Sequence, residues 1–67
     1  MISQTNNILN IYFNDYKSSE LFSIDGKSVL KSTLKQIDLS NEVKGIYFLV
    51  IEDTNGKKSN GIRVIRE

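Results

Sequence analysis

Glu52 and Asp53 form the only adjacent acidic pair in the chain, and paired carboxylates are the first chemistry to weigh. General acid–base work needs both groups on one side of a substrate. Neighbours on a strand point to opposite faces, so this pair reads as solvated strand-end charge. Asp15, Asp25 and Asp53 could hold calcium with loop carbonyls, but no loop of about 12 residues carries acids at alternate positions. Turn formation is the simpler role for all three. Gly26, Gly45, Gly56 and Gly61 lie far apart and none opens a helix, so no phosphate cradle is written here. Tyr12, Phe13, Tyr16 and Phe22 near lysines could stack on sugars or single strands, though core packing accounts for them more simply. The basic cluster Lys57, Lys58, Arg63 and Arg66, taken alone, reads as a soluble strand edge.

Histidine and cysteine are both absent. That excludes disulfides, thiolate nucleophiles, Cys/His zinc sites and histidine general bases. No metal or other cofactor is expected. Nine basic and eight acidic residues give a net charge of +1, which supports neither a dedicated nucleic-acid binder nor a membrane-surface binder. No apolar run approaches the roughly 18 residues of a transmembrane helix. Met1 to Thr5 lacks the basic, apolar, small-residue order of a signal peptide, so an exported form is expected to carry its leader upstream. Sixty-seven residues make one domain near the lower size limit for folding without a staple. A core of that size supplies about 3–5 kcal/mol net, which leaves little for strained catalytic geometry. The chain is expected not to be an enzyme.

The elements that must position any site are organised around Lys44 to Asp53, KGIYFLVIED. Tyr47, Leu49 and Ile51 fall on one side of a strand, Ile46, Phe48 and Val50 on the other. Both sides are apolar, which predicts a central strand covered on both faces. Before it, Met1 to Asn7 is polar and expected to fray. Ile8 to Phe13 alternates as a strand with Leu9, Ile11 and Phe13 on one face, and Asn14-Asp15 is a turn. Ser18 to Ile24 and Lys27 to Ser32 form a hairpin around Asp25-Gly26, a type I′ signal. Leu34 to Leu39 is a short strand, and Ser40 to Val43 offers one helical turn. After the central strand, Asn55-Gly56 closes a second two-residue hairpin onto Ile62, Val64 and Ile65, with a bulge or break at Asn60-Gly61. The result is an all-β chain of about six to seven short strands, a small antiparallel sandwich. It is expected to be a monomer of modest stability or a weak dimer made by strand addition or exchange.

Several blocks then resemble one known family in collinear order from Ile8 to Glu67. Leu9 and Ile11 match a leading Leu-x-Ile strand. Leu21, Phe22, Ile24, Gly26 and Lys27 match a block of the form Ile-Tyr-Asp-Leu-x-Gly-Arg/Lys. Asp38, Leu39, Ser40, Gly45, Tyr47, Phe48 and Leu49 match Asp-Leu-Ser-x-Leu-x-x-Gly-x-Tyr-Phe-Leu. Asn55, Gly56, Lys57, Lys58, Ile62, Val64 and Ile65 match a closing hairpin that ends in lysines. Together they resemble the type A C-terminal sorting domain of type IX secretion cargo in Bacteroidota. The family domain usually opens with Pro-Asn-Pro, where this chain has Met1 to Thr5. Val43 stands where a proline commonly precedes Lys-Gly, and Arg63 and Arg66 stand where lysines are common.

The resemblance implies a seven-strand immunoglobulin-like sandwich at 8–67, with 1–7 as a linker or remnant of the junction to an N-terminal cargo domain. It implies an export signal read by the outer-membrane translocon, shuttle and sortase proteins of the type IX system. The family's cargo is usually freed of the domain by a surface sortase and joined to anionic lipopolysaccharide, at the outer-membrane surface or in the extracellular space. Gly45, Tyr47, Lys57, Lys58, Arg63 and Arg66 are then the expected recognition residues. The alternative is an immunoglobulin-like adhesive or carbohydrate-binding module.

Overall fold

The computed structural model describes residues 2–67, so Met1, the first residue of the expected 1–7 segment, lies outside the described residues. Seven strands follow in order: β1 Ile2–Thr5, β2 Ile8–Ile11, β3 Tyr16–Ser23, β4 Ser28–Ser32, β5 Gln36–Asp38, β6 Gly45–Asp53 and β7 Ile62–Arg66. They form two antiparallel sheets, β1-β2-β5 and β4-β3-β6-β7. The expected small all-β sandwich is what the chain forms. Its order differs from the seven-strand constant immunoglobulin arrangement only in the fourth strand, which lies beside the third instead of the fifth.

Period-two patterning builds the core. Leu9 and Ile11 of β2, Ile37 of β5 and Leu39 just after it meet Leu21 of β3, Tyr47, Leu49 and Ile51 of β6, and Val64 of β7. Leu9, Leu21, Leu39 and Leu49 are fully buried. Phe13, Tyr16, Val29, Leu30 and Ile62 pack around them. Ser19 is the one buried polar residue among those described, and its hydroxyl lies 3.0 Å from that of Tyr16. The Tyr16 hydroxyl also donates to the Leu34 carbonyl at 2.8 Å, tying the start of β3 to the β4–β5 crossing.

Four expectations need correction. The start is not frayed: Ile2–Thr5 pairs with Ile8–Ile11 through a two-residue Asn6-Asn7 loop, with Asn6 at φ 55°. Asparagine tolerates that left-handed backbone, and Ile2 packs against the core. The Asp25-Gly26 and Asn55-Gly56 hairpins are not type I′, which needs positive φ at both central residues. Only Gly26 (87°) and Gly56 (82°) are positive there, so each loop is a three-residue turn closed by a glycine bulge. The Gly26 N–H donates to the Ser23 carbonyl at 2.9 Å and the Gly56 N–H to that of Asp53 at 3.0 Å. Asp53 favours this form by accepting backbone N–H bonds from Asn55 and Lys57, each at 2.9 Å. Ser40 to Val43 is not a helical turn. Leu39 to Glu42 is a β-turn, fixed by the Ser40 N–H donating to the Asp38 carboxylate at 2.9 Å.

The fourth correction concerns β6. It is central, paired with β3 from Tyr47 to Asp53 and with β7 from Gly45 to Leu49. Yet only its Tyr47, Leu49 and Ile51 side is buried, while Ile46, Phe48 and Val50 stay half-exposed. A two-layer sandwich has one inner face per sheet, so doubly apolar patterning does not by itself supply a second cover. The break at Asn60-Gly61 is present. Glu52 faces Lys58 but Leu49 faces Ile62, so the returning arm carries one extra residue. Gly61 passes over Phe48, where an added Cβ would lie 3.5 Å from the Phe48 Cβ.

Leu49→Ala is expected to cost about 2–5 kcal/mol, most of the domain's stability. Ile24→Ser, at a side chain 71% exposed, is expected to stay within about 0.5 kcal/mol of the parent. Urea unfolding followed by far-ultraviolet circular dichroism measures both.

Candidate recognition site

Gly45 begins β6 at φ 151°. A Cβ there would meet no atom within 4 Å, so the backbone conformation, not space, calls for glycine. Two residues on, Tyr47 points inward and is 7% exposed. Its hydroxyl reaches back and donates to the Val43 carbonyl. A tyrosine near the start of the sixth strand, bonded to backbone just upstream, is the tyrosine corner of immunoglobulin-type sandwiches. Arg66 lies opposite Gly45 on β7. Its Nε donates to the Leu39 carbonyl at 3.2 Å and its Nη2 to the Ser40 carbonyl at 3.0 Å. Gly45, Tyr47 and Arg66 thus meet at one end of the sandwich, where they hold the 39–44 connection between the sheets.

Asp38 completes that corner. Hydrogen bonds from the Ser40 side chain and backbone, aided by the Arg66 charge, hold its carboxyl below the usual 3.8. Asp25, in the β3–β4 turn, is lowered in the same way by the Ser23 hydroxyl. Both carboxylates sit in solvent. Arg66 spends its donors on carbonyls, so the corner reads as a structural brace with a positive rim.

The other expected residues lie elsewhere. Lys57 and Lys58 are exposed beyond the β6 turn, about 26 Å along the strand from Gly45. Lys58 faces Glu52, which pairs with Lys17 at 3.6 Å. Arg63 stands between the two groups on the outer face, opposite Phe48. The six residues therefore form two ends and a midpoint of one hairpin, not a single pocket. No cluster of metal-ligating side chains occurs among the described residues.

Two features escaped the sequence reading. One is Gln4, whose side-chain amide crosses from β1 to donate to the Ile65 carbonyl at 2.5 Å, on the free edge of β7. Nothing local marks it, because the contact spans nearly the whole chain. The other is the apolar outer face of the four-stranded sheet, which β6's double patterning had announced but which was expected to be covered.

Tyr47→Phe is expected to cost about 0.5–1.5 kcal/mol, since the Val43 carbonyl loses its donor. Asp38 gives a signed pH effect. Its folded pKa lies below the unfolded value of 3.8, so its contribution is complete above pH 3.8 and is lost as the pH falls through the folded value. Asp38→Asn is expected to lower the urea midpoint at neutral pH and to make the decline below pH 3.8 shallower. A titration series of unfolding midpoints reads both.

A family model for the secretion system C-terminal sorting domain matches residues 5–65. Comparison with curated proteins and with solved structures returns no match. The family match runs from Thr5, the last residue of β1, to Ile65 in β7 and takes in β2 to β6 whole. The chain belongs to the C-terminal sorting domain family of type IX secretion.

Proposed function

We propose that this domain is the address by which a passenger joined at its N-terminal side is carried through the type IX system across the outer membrane. The translocon, its shuttle and the sortase are its partners in this reading. A surface sortase of the cysteine-protease type then removes the domain and joins the passenger to anionic lipopolysaccharide. The observation that carries the reading is the family match over residues 5–65. The physical character of the chain is in keeping with it. A small folded tag without reactive side chains offers a surface to be read, not a reaction centre. Lys57, Lys58 and Arg63, exposed on the last hairpin, are the groups we assign to direct contact. Gly45, Tyr47 and Arg66 act through the corner they brace, by keeping that hairpin in register.

One observation favours the second reading, a carbohydrate-binding module. A shallow cleft of about 620 Å³ is bordered by Asn10, Tyr12, Asn14, Leu34, Lys35 and Gln36. Tyr12 is 58% exposed. An exposed ring beside amides is a surface on which a sugar can stack and hydrogen-bond.

Residues 1–67 fused behind a reporter with an export leader, in a host with the type IX machinery, separate the two. Surface delivery that requires the domain is the expected result. Periplasmic retention of the intact fusion, with glycan affinity that Tyr12→Ala abolishes, would instead establish the second. Truncating the last hairpin is a poor probe, because Val64 is core and Arg66 is a brace. Lys57→Glu with Lys58→Glu tests the arm while leaving the core intact. It is expected to lower the surface fraction several-fold, and Lys57→Gln with Lys58→Gln, which sets no carboxylate opposite Glu52, to lower it without moving the melting temperature.

A further inference from the structure

The outer face of the β4-β3-β6-β7 sheet carries a contiguous apolar patch. Phe22 lies opposite Phe48, and Ile46 opposite Ile65, in adjacent rows. Ile24 continues the patch beyond the end of β3 and is 71% exposed, while Ile65 is 40% exposed. Toward the other end the face becomes charged, with Glu20 opposite Lys31 and Glu52 opposite Lys58. There a groove of about 640 Å³ runs over Phe22 and Val50 between Lys31 and Lys58. An apolar patch that grades into a charged border marks an interaction surface.

The charges say what kind of partner fits. Lys17, Lys31, Lys58 and Arg63 outnumber the two carboxylates of this face, and both carboxylates are already engaged. Glu52 pairs with Lys17 at 3.6 Å, and Glu20 accepts from the Ser28 hydroxyl at 2.5 Å. Lys31, Lys58 and Arg63 form no ion pair among the described residues. A second copy of the chain would bring this surplus against itself. The face also spans only roughly 300 Å², from strand spacing and rise, against about 800 Å² per partner in a stable complex. A self-pairing dimer is therefore disfavoured on charge, and a stable complex of any kind on area.

We propose that this face is the docking surface for an acidic protein of the secretion machinery. Its apolar residues seat on Phe22, Ile24, Phe48 and Ile65, and its carboxylates meet Lys31, Lys58 and Arg63. The proposal rests on the export reading above. It assigns Lys58 and Arg63 to recognition through this face, together with Lys31, and places Lys57 and Arg66 outside it. A contact this small gives transient recognition, suited to a signal that must be released after it is read.

The test uses the reporter fusion in three forms. The first is the native chain. The second carries Lys31→Glu, Lys58→Glu and Arg63→Glu, and the third carries Lys27→Glu, Lys35→Glu and Lys44→Glu away from the face. The face triple is expected to cut surface delivery about tenfold or more, and the matched triple to leave it near native. Because Lys31→Glu and Lys58→Glu set carboxylates opposite Glu20 and Glu52, the melting temperature is read for each form and the stability-matched comparison rests on the glutamine triple. Glutamine at the three face positions is expected to give an intermediate loss, because it removes attraction without adding repulsion. Ile24→Ser with Ile65→Ser, at exposed positions, is expected to lower delivery without changing stability. Native delivery with undiminished delivery by the face variants overturns the docking surface and leaves the export reading standing. Equal loss from both triples also overturns it, by tracing the effect to net charge alone. A dimer of the purified chain in sedimentation, dissolved by Ile24→Ser, overturns it by assigning the face to a second copy. Retention of the native fusion removes the export reading and this proposal with it.

Discussion

Leu49 stands opposite Leu21 on β3 and Ile62 on β7, and this cross-sheet row presses on the β2 and β5 side chains of the facing layer. Everything else in the domain depends on that contact. The two sheets share no ladder, so the apolar seam and a few bonds at its ends are what hold them together. One end is closed by Tyr47 and Arg66 on the 39–44 connection, the other by the Tyr16 hydroxyl on the Leu34 carbonyl. A chain of 67 residues has no second core in reserve, so loss at the seam is loss of the whole.

The strands were readable from the sequence because period-two patterning is local and strong. Leu9 and Ile11, Leu21, Ile37, and Tyr47, Leu49 and Ile51 fall on the inner faces as the alternation requires. The turns were located by glycine, but their type was not, because Asp53 and Ser23 decide it through hydrogen bonds that pattern does not report. β1 was missed because four residues with a single inward isoleucine carry little signal of their own. It exists by virtue of pairing with β2. The apolar side formed by Ile46, Phe48 and Val50 was legible as pattern and illegible as context, since a sequence cannot say which apolar face has a partner within the same chain.

The candidate site divides along the same line. Gly45 and Tyr47 stand in a motif, and the structure gives each a local physical reason: a backbone conformation and a hydroxyl bond. Arg66 and Lys58 look alike in sequence, yet one is tied to carbonyls of the opposite layer and the other points to solvent. Charge alone could not separate a brace from a solvent-facing lysine.

The Gln4 amide on the Ile65 carbonyl has a consequence for the β7 margin. An edge blocked by proline or a buried charge is closed for good, whereas this one is screened by a single side chain. The same Gln4 amide also donates to the Asn6 carbonyl at 3.0 Å, so the side chain is pinned at both ends of its reach, each bond contributing about 0.5–1.5 kcal/mol. The flank of the sandwich thus owes its cover to a side chain from the opposite sheet, so the guard on β7 stands only as long as β1 is paired to β2.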